Sequence, residues 1–190
     1  MIKLYLSKIT EYSQADYAKM YSLLECTIRQ KIDVKKQDLS KQQSIVGYSM
    51  LYRGFEELYQ KKNVEIKFNH YGKPVCDFCF FSVSHSEEQV VCGFSDQPIG
   101  VDVQKITSIK SREKYRFFSQ KESDYVNQNG KFNPQKYIEI FTKKEAAVKM
   151  LGLPLSQCAQ IDTFSNEYTF KTDLLDDYII TICTKNVSIM

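Results

Sequence analysis

Tryptophan is absent from this 190-residue chain, histidine occurs only at His70 and His85, and there are four prolines and seven glycines. Two histidines are too few for a histidine-built metal centre, and no Ser, His and Asp fall in an order that suggests a hydrolase triad. Low-complexity stretches and Pro- or Gly-rich linkers are missing too, which leaves one domain, or two small lobes sharing a core. Nor is there a long apolar run. The first twenty residues carry Lys3, Lys8, Glu11, Asp16 and Lys19, so neither a signal peptide nor a membrane span is expected and the cytoplasm is the default location.

Six cysteines are present (Cys26, Cys76, Cys79, Cys92, Cys158, Cys183), and without a sign of secretion they read as reduced thiols. Cys76 and Cys79 make a lone C-x-x-C, but zinc would need two further ligands. On a strand, residues three apart point to opposite faces, so core thiols are the expectation there.

What is present describes an ordinary globular chain, 43% hydrophobic and 26% charged. The net charge of +3 is too small to argue for nucleic acid, yet Lys110, Arg112, Lys114, Arg116 and Lys121 fall close together, diluted only by Glu113. Such a run is either a solvated helix face or a patch that meets an acidic protein.

Periodicity predicts strand Ile2–Leu6, helices Gln14–Gln30 and Leu39–Gln60, and alternation from Val64 to Phe68. Strands Phe78–Ser84, Gln89–Phe94 and Ile99–Val103 follow with short connections that suit an antiparallel meander. Helices Ser108–Val126 and Pro134–Leu151 come next, then strands Ile161–Phe164, Tyr168–Thr172 and Tyr178–Cys183. Helices then strands, twice over, predict an α+β fold of two similar lobes, 1–104 and 105–190.

Two runs carry the chemistry. In Ile99–Gln104, alternation turns Ile99, Val101 and Val103 to a core and Gly100, Asp102 and Gln104 to the other face, with Gly100 leaving room for a bulky ligand. In the last long helix, Glu145 shares the apolar stripe of Ile138, Phe141 and Val148, with Lys149 one turn on. A carboxylate so placed needs a cation, a donor or a proton. A structural Glu145–Lys149 pair satisfies that need, and so does a hard-oxygen site for Mg²⁺ and a phosphate. Ser84 and His85 at a strand end, and Lys73 in the turn Gly72-Lys73-Pro74, are candidate phosphate donors or plain polar residues.

In order and spacing, five segments resemble the 4′-phosphopantetheinyl transferases of the surfactin-synthetase-activating type. They are Gly72-Lys73-Pro74, Phe81 to Ser86, Gln97 to Val103, Arg116 to Glu122, and Phe141 to Lys149. The resemblance implies two α/β lobes in pseudo-twofold arrangement with coenzyme A in the cleft between them. It further implies transfer of the phosphopantetheine arm to a serine of an apo acyl or peptidyl carrier protein, with release of adenosine 3′,5′-bisphosphate. By that matching, Mg²⁺ is held by Asp102, Gln104 and Glu145, and catalysis falls to Glu145, Lys149 and Glu122. Lys73, Ser84, His85 and Ser44 then contact coenzyme A, with Arg29 or Lys31 extending the adenine-side phosphate site. The basic run, with Tyr115, Phe117 and Phe118, would meet the carrier. A monomer is expected, with neither nucleic acid nor membrane as partner. Two positions depart from the family pattern, which has an acid where Gln104 stands and a Trp where Phe141 stands. A coenzyme A or carrier binding module weakened by Gln104 is therefore the rival, and an α+β domain with an incidental ion pair the third reading.

Overall fold

The computed structural model describes residues 1–106 and 117–186. Two three-stranded antiparallel sheets form its frame, each covered by one long helix. The first sheet comprises β1 (Ile2–Lys8), β4 (Phe80–Ser86) and β5 (Gln89–Ser95), in the order β1-β5-β4. The second comprises β6 (Ile99–Lys105), β7 (Tyr168–Leu175) and β8 (Tyr178–Lys185), in the order β6-β8-β7. The order is therefore the same in both: the first strand and the hairpin's second strand are neighbours. A two-strand ribbon, β2 (Lys67–Phe68) with β3 (Pro74–Val75), stands apart.

Helices α1 (Gln14–Leu23) and α2 (Cys26–Asp33) replace the single helix expected over that stretch, because the chain turns extended at Leu24 and Glu25. Helix α3 (Asp38–Tyr59) packs on the first sheet through Val46, Met50, Leu51 and Phe55, and ends at Gln60 with φ 56°. Helix α4 (Gln120–Val126) begins at a Ser119–Glu122 capping box. The earlier part of the helix expected from Ser108 falls in 107–116, outside the described residues. Helix α5 (Pro134–Leu151) runs as read, with Asn133 accepting from the Lys136 amide and Gly152 closing it at φ 70°. Val64–Phe68 contributes only two strand residues and Ile161–Phe164 none.

The expected meander is overturned. β6 leaves β5 after the Asp96–Pro98 connection and pairs with β8, from Ile99 opposite Thr184 to Lys105 opposite Tyr178. It still lies beside β4, joined through side chains. The hydroxyls of Ser82, Ser84 and Ser86 accept from the amides of Val101, Val103 and Lys105 at 3.0, 3.3 and 3.1 Å. Alternating serines thus supply what carbonyls supply in a ladder, and they hold the two sheets edge to edge. By pairing, β6 belongs to the second sheet, so a divide at Gln104 cuts through a strand. Val91, Ile99, Val101, Val103, Ile180 and Ile182 make the apolar seam between the sheets. Among the described residues no helix is long and apolar enough to cross a membrane.

Candidate active site

Asp102 sits mid-strand on β6, on the face that Gly100 shares, and α5 lies directly on that face. A Cβ on Gly100 would stand 1.8 Å from the Ala146 carbonyl oxygen and 2.6 Å from the Met150 nitrogen. The glycine therefore admits the helix backbone; the ligand space expected there is filled by α5. Close seating brings Glu145 and Lys149, one turn apart, over Asp102.

Asp102 is fully buried, and its Oδ1 accepts from the Ser84 hydroxyl at 2.6 Å and the Lys149 ammonium at 2.5 Å. Lys149 also donates to Ser84 Oγ at 2.8 Å, and Glu145 Oε2 lies 3.8 Å from Lys149 Nζ. Ser84 commits its one proton to Asp102, so it serves the carboxylate here instead of standing open to a phosphate. Gln104 flanks the cluster, its Nε2 3.4 Å from Asp102 Oδ2 and its Oε1 accepting from Ser86 Oγ at 3.4 Å.

Burial, and next the Asp102 charge, push the Glu145 carboxyl up to about 7, against the pull of Lys149; a hydrogen bond shared with Asp102 adds to the rise. Two carboxylates close enough to share a proton offer the place where a hard cation would replace it. Among the described residues no three His, Cys, Asp or Glu converge. Mg²⁺ needs no more than one or two carboxylates, completing its shell with water and phosphate oxygens, so the donor set fits that ion.

A groove leads away from the cluster in two hollows that share Pro74 and Val83. The nearer, of about 240 Å³, has Lys73, Ser82 and Lys149 in its wall. Lys73 donates to the Lys149 carbonyl at 2.5 Å, at the negative end of α5, and burial lowers its pKa to about 8. The farther, of about 190 Å³, is lined by Lys31, Lys35, Ser44 and His85. The groove walls desolvate His85, which keeps an exposed edge, and Lys149 and Lys35 repel its charge, so its pKa is lowered. Ser44 is buried and donates to the Ser40 carbonyl. Arg29 lies outside this lining, 5.9 Å from the Tyr21 ring centroid.

Glu122 is not brought to the cluster. It is fully buried and ion-paired to Lys144 at 2.9 Å, and it accepts from the Thr163 hydroxyl at 2.8 Å and the Ser119 amide at 2.7 Å. Sequence reading missed Lys144. It also missed Lys35, and the bridging role of Ser82-x-Ser84-x-Ser86, for which the alternation of serines was the available signal. Of the basic run, Lys110, Arg112, Lys114 and Arg116, with Tyr115, lie outside the described residues, and Lys121 is exposed.

Residues 98–183, which hold β6, α5 and the β7–β8 hairpin and so Asp102, Glu145 and Lys149, match the model of the 4′-phosphopantetheinyl transferase superfamily. The match takes in less than half of the chain. The chain is also similar to the 4′-phosphopantetheinyl transferase gsp of Aneurinibacillus migulanus, at 35% identity over 48% of this chain and 39% of that protein. Identity to the transferase Sfp of Bacillus subtilis (strain 168) is 31% over 64% of this chain and 56% of the relative. For the transferase ffp of Bacillus subtilis the values are 28%, 80% and 70%. In the first two of these, the matched part is about half the relative's length or less. The matched segment supplies every acidic and basic group of the Asp102 cluster, while Lys31, Lys35, Lys73 and His85 of the groove come from the chain before it.

Proposed function

We propose that this protein transfers the 4′-phosphopantetheine group of coenzyme A to a serine of an apo acyl or peptidyl carrier protein, releasing adenosine 3′,5′-bisphosphate. The observation that carries the reading is the buried Asp102–Lys149–Glu145 cluster inside the superfamily segment, with a groove lined by cationic and hydroxyl groups beside it. The reading includes two pseudo-twofold lobes, supported by the shared strand order of the sheets, with the divide moved to the connection before Ile99. It also takes the protein to act as a cytoplasmic monomer.

In this reading the carrier serine oxygen bonds to the phosphorus next to the pantetheine, and the phosphorus–oxygen bond to the nucleotide half breaks. Glu145 takes the serine proton on its carboxylate. Lys149 neutralises Asp102 in the free protein and turns to the leaving phosphate as charge develops there. Lys31, Lys35 and His85 hold the nucleotide's 3′-phosphate, with Ser44 beside them, and Lys73 backs the nearer hollow. Asp102 and Glu145, with Gln104 alongside, would hold Mg²⁺, which offsets pyrophosphate charge when bound.

Intact-mass spectrometry of a panel of apo carriers, incubated with the protein, coenzyme A and Mg²⁺, tests this. The expected result is a phosphopantetheine increment that vanishes with EDTA and with Glu145→Gln. A specific feature favours one rival: the neutral Gln104 amide removes a negative charge from the cation site. Coenzyme A binding with no increment on any carrier would make the protein a binding module of the same fold.

A further inference from the structure

The connection between β3 and β4 holds two thiols that transfer chemistry does not use. Cys76 follows β3 and Cys79 precedes β4, and their sulfurs lie 3.5 Å apart. The expectation that they face opposite ways fails, because Asp77 and Phe78 form a bend instead of continuing a strand. Both are half-buried, whereas Cys92, Cys158 and Cys183 are buried. A disulfide needs about 2.05 Å between sulfurs, so closure asks for about 1.5 Å of approach within one short bend.

The two thiols are unequal. Hydrogen bonding with the Cys79 side chain and with the backbone of Phe78 and Cys79 holds the Cys76 pKa down to about 6, and the Cys76 sulfur also lies 3.5 Å from the Cys79 carbonyl oxygen. Cys79, donating to that sulfur and desolvated, is raised well above the ordinary thiol range. One sulfur is thus ready to attack, and the other keeps its proton until the first is engaged.

We propose that Cys76 and Cys79 form a dithiol–disulfide couple that exchanges with low-molecular-weight disulfides at the connection between β3 and β4. Cys76 thiolate attacks one sulfur of the small disulfide; a Cys76 mixed disulfide forms and one thiolate leaves. Cys79 then attacks the Cys76 sulfur, its proton passes to the second departing thiolate, and the Cys76–Cys79 bond closes. Two protein thiols are oxidised and one small disulfide is reduced to two thiols. The closed bond joins the strand that follows Lys73 to the strand that carries Ser84 and His85. None of this chemistry depends on the transferase reading.

The test uses the full reduced chain and glutathione disulfide, with peptide mapping by mass spectrometry. The peptide holding both cysteines should lose two hydrogens and keep no adduct, while exposed Cys26 accumulates adduct and shows that the reagent is active. In Cys79→Ser the glutathione adduct should persist on Cys76; in Cys76→Ser no adduct should form on Cys79. With its pKa held down, Cys76 should react faster at pH 6 than a small thiol of ordinary pKa. An unchanged Cys76–Cys79 peptide when Cys26 is modified would overturn the proposal, as would an adduct lodging on Cys79 in preference to Cys76.

Discussion

Glu122→Gln separates a structural carboxylate from a catalytic one. Glu122 and Lys144 side chains are 0% and 1% exposed, and their charges meet at 2.9 Å. Three donors besides Lys144 point at the carboxylate, from the Ser119 amide and from the amide and hydroxyl of Thr163. Lys144 in turn donates to the Ile161 and Cys158 carbonyls at 2.5 and 3.3 Å. The group ties α4 and α5 to the segment after α5. A glutamine keeps one acceptor oxygen, so its amide nitrogen faces either the Lys144 ammonium or the Thr163 donors, and in both orientations the buried Lys144 charge loses its counter-ion. Removing one partner of a buried pair costs about 3–5 kcal/mol, a large part of a typical domain's stability. With a urea dependence of about 2 kcal/mol per molar, the unfolding midpoint should fall by roughly 2 M at unchanged slope. Adding Lys144→Met should recover part of the loss, since a deleted pair costs less than a broken one. A loss below about 1 kcal/mol, or a variant of normal stability with transfer abolished, would refute this account and return Glu122 to the reacting groups.

Glu145→Gln should change the pH dependence of stability in EDTA. The folded carboxyl near 7 lies above its ordinary 4.5, so its stabilising protonated form is complete below 4.5 and lost as pH rises through 7. Glutamine should therefore gain about 2–3 kcal/mol on the parent between pH 4.5 and 8, read from urea midpoints, and parallel curves would show Glu145 titrating normally. Gly100→Ala should cost roughly 3 kcal/mol or more, because its Cβ meets helix backbone at 1.8 Å; an unchanged melting temperature would mean that α5 is not seated on the strand. Lys31→Ala with Lys35→Ala should weaken coenzyme A binding by calorimetry, more at low salt than at high, and equal loss at both would place the phosphate elsewhere.

Local pattern was enough for much of this protein. Apolar spacing and end signals mark α3 and α5 almost to the residue, since a long amphipathic helix with an Asn133 cap and a Gly152 stop leaves few alternatives. The same alternation and spacing placed Asp102 on one strand face and Glu145 beside Lys149 on one helix face. What those faces look at is not local. The Asp96–Pro98 connection reads like any hairpin turn, yet β6 crosses to a second sheet, because serine hydroxyls on β4 satisfy its amides and β8 supplies a full ladder. Gly100 reads as open space until the Ala146 and Met150 backbone of a helix far along the chain fills it. Glu122 lines up with an acidic position of a known family, but only packing shows its charge given to Lys144. The sequence by itself determined which groups this protein owns and on which faces they stand. Tertiary structure alone decided which of them meet, because burial and the pairing of buried charges depend on neighbours far along the chain.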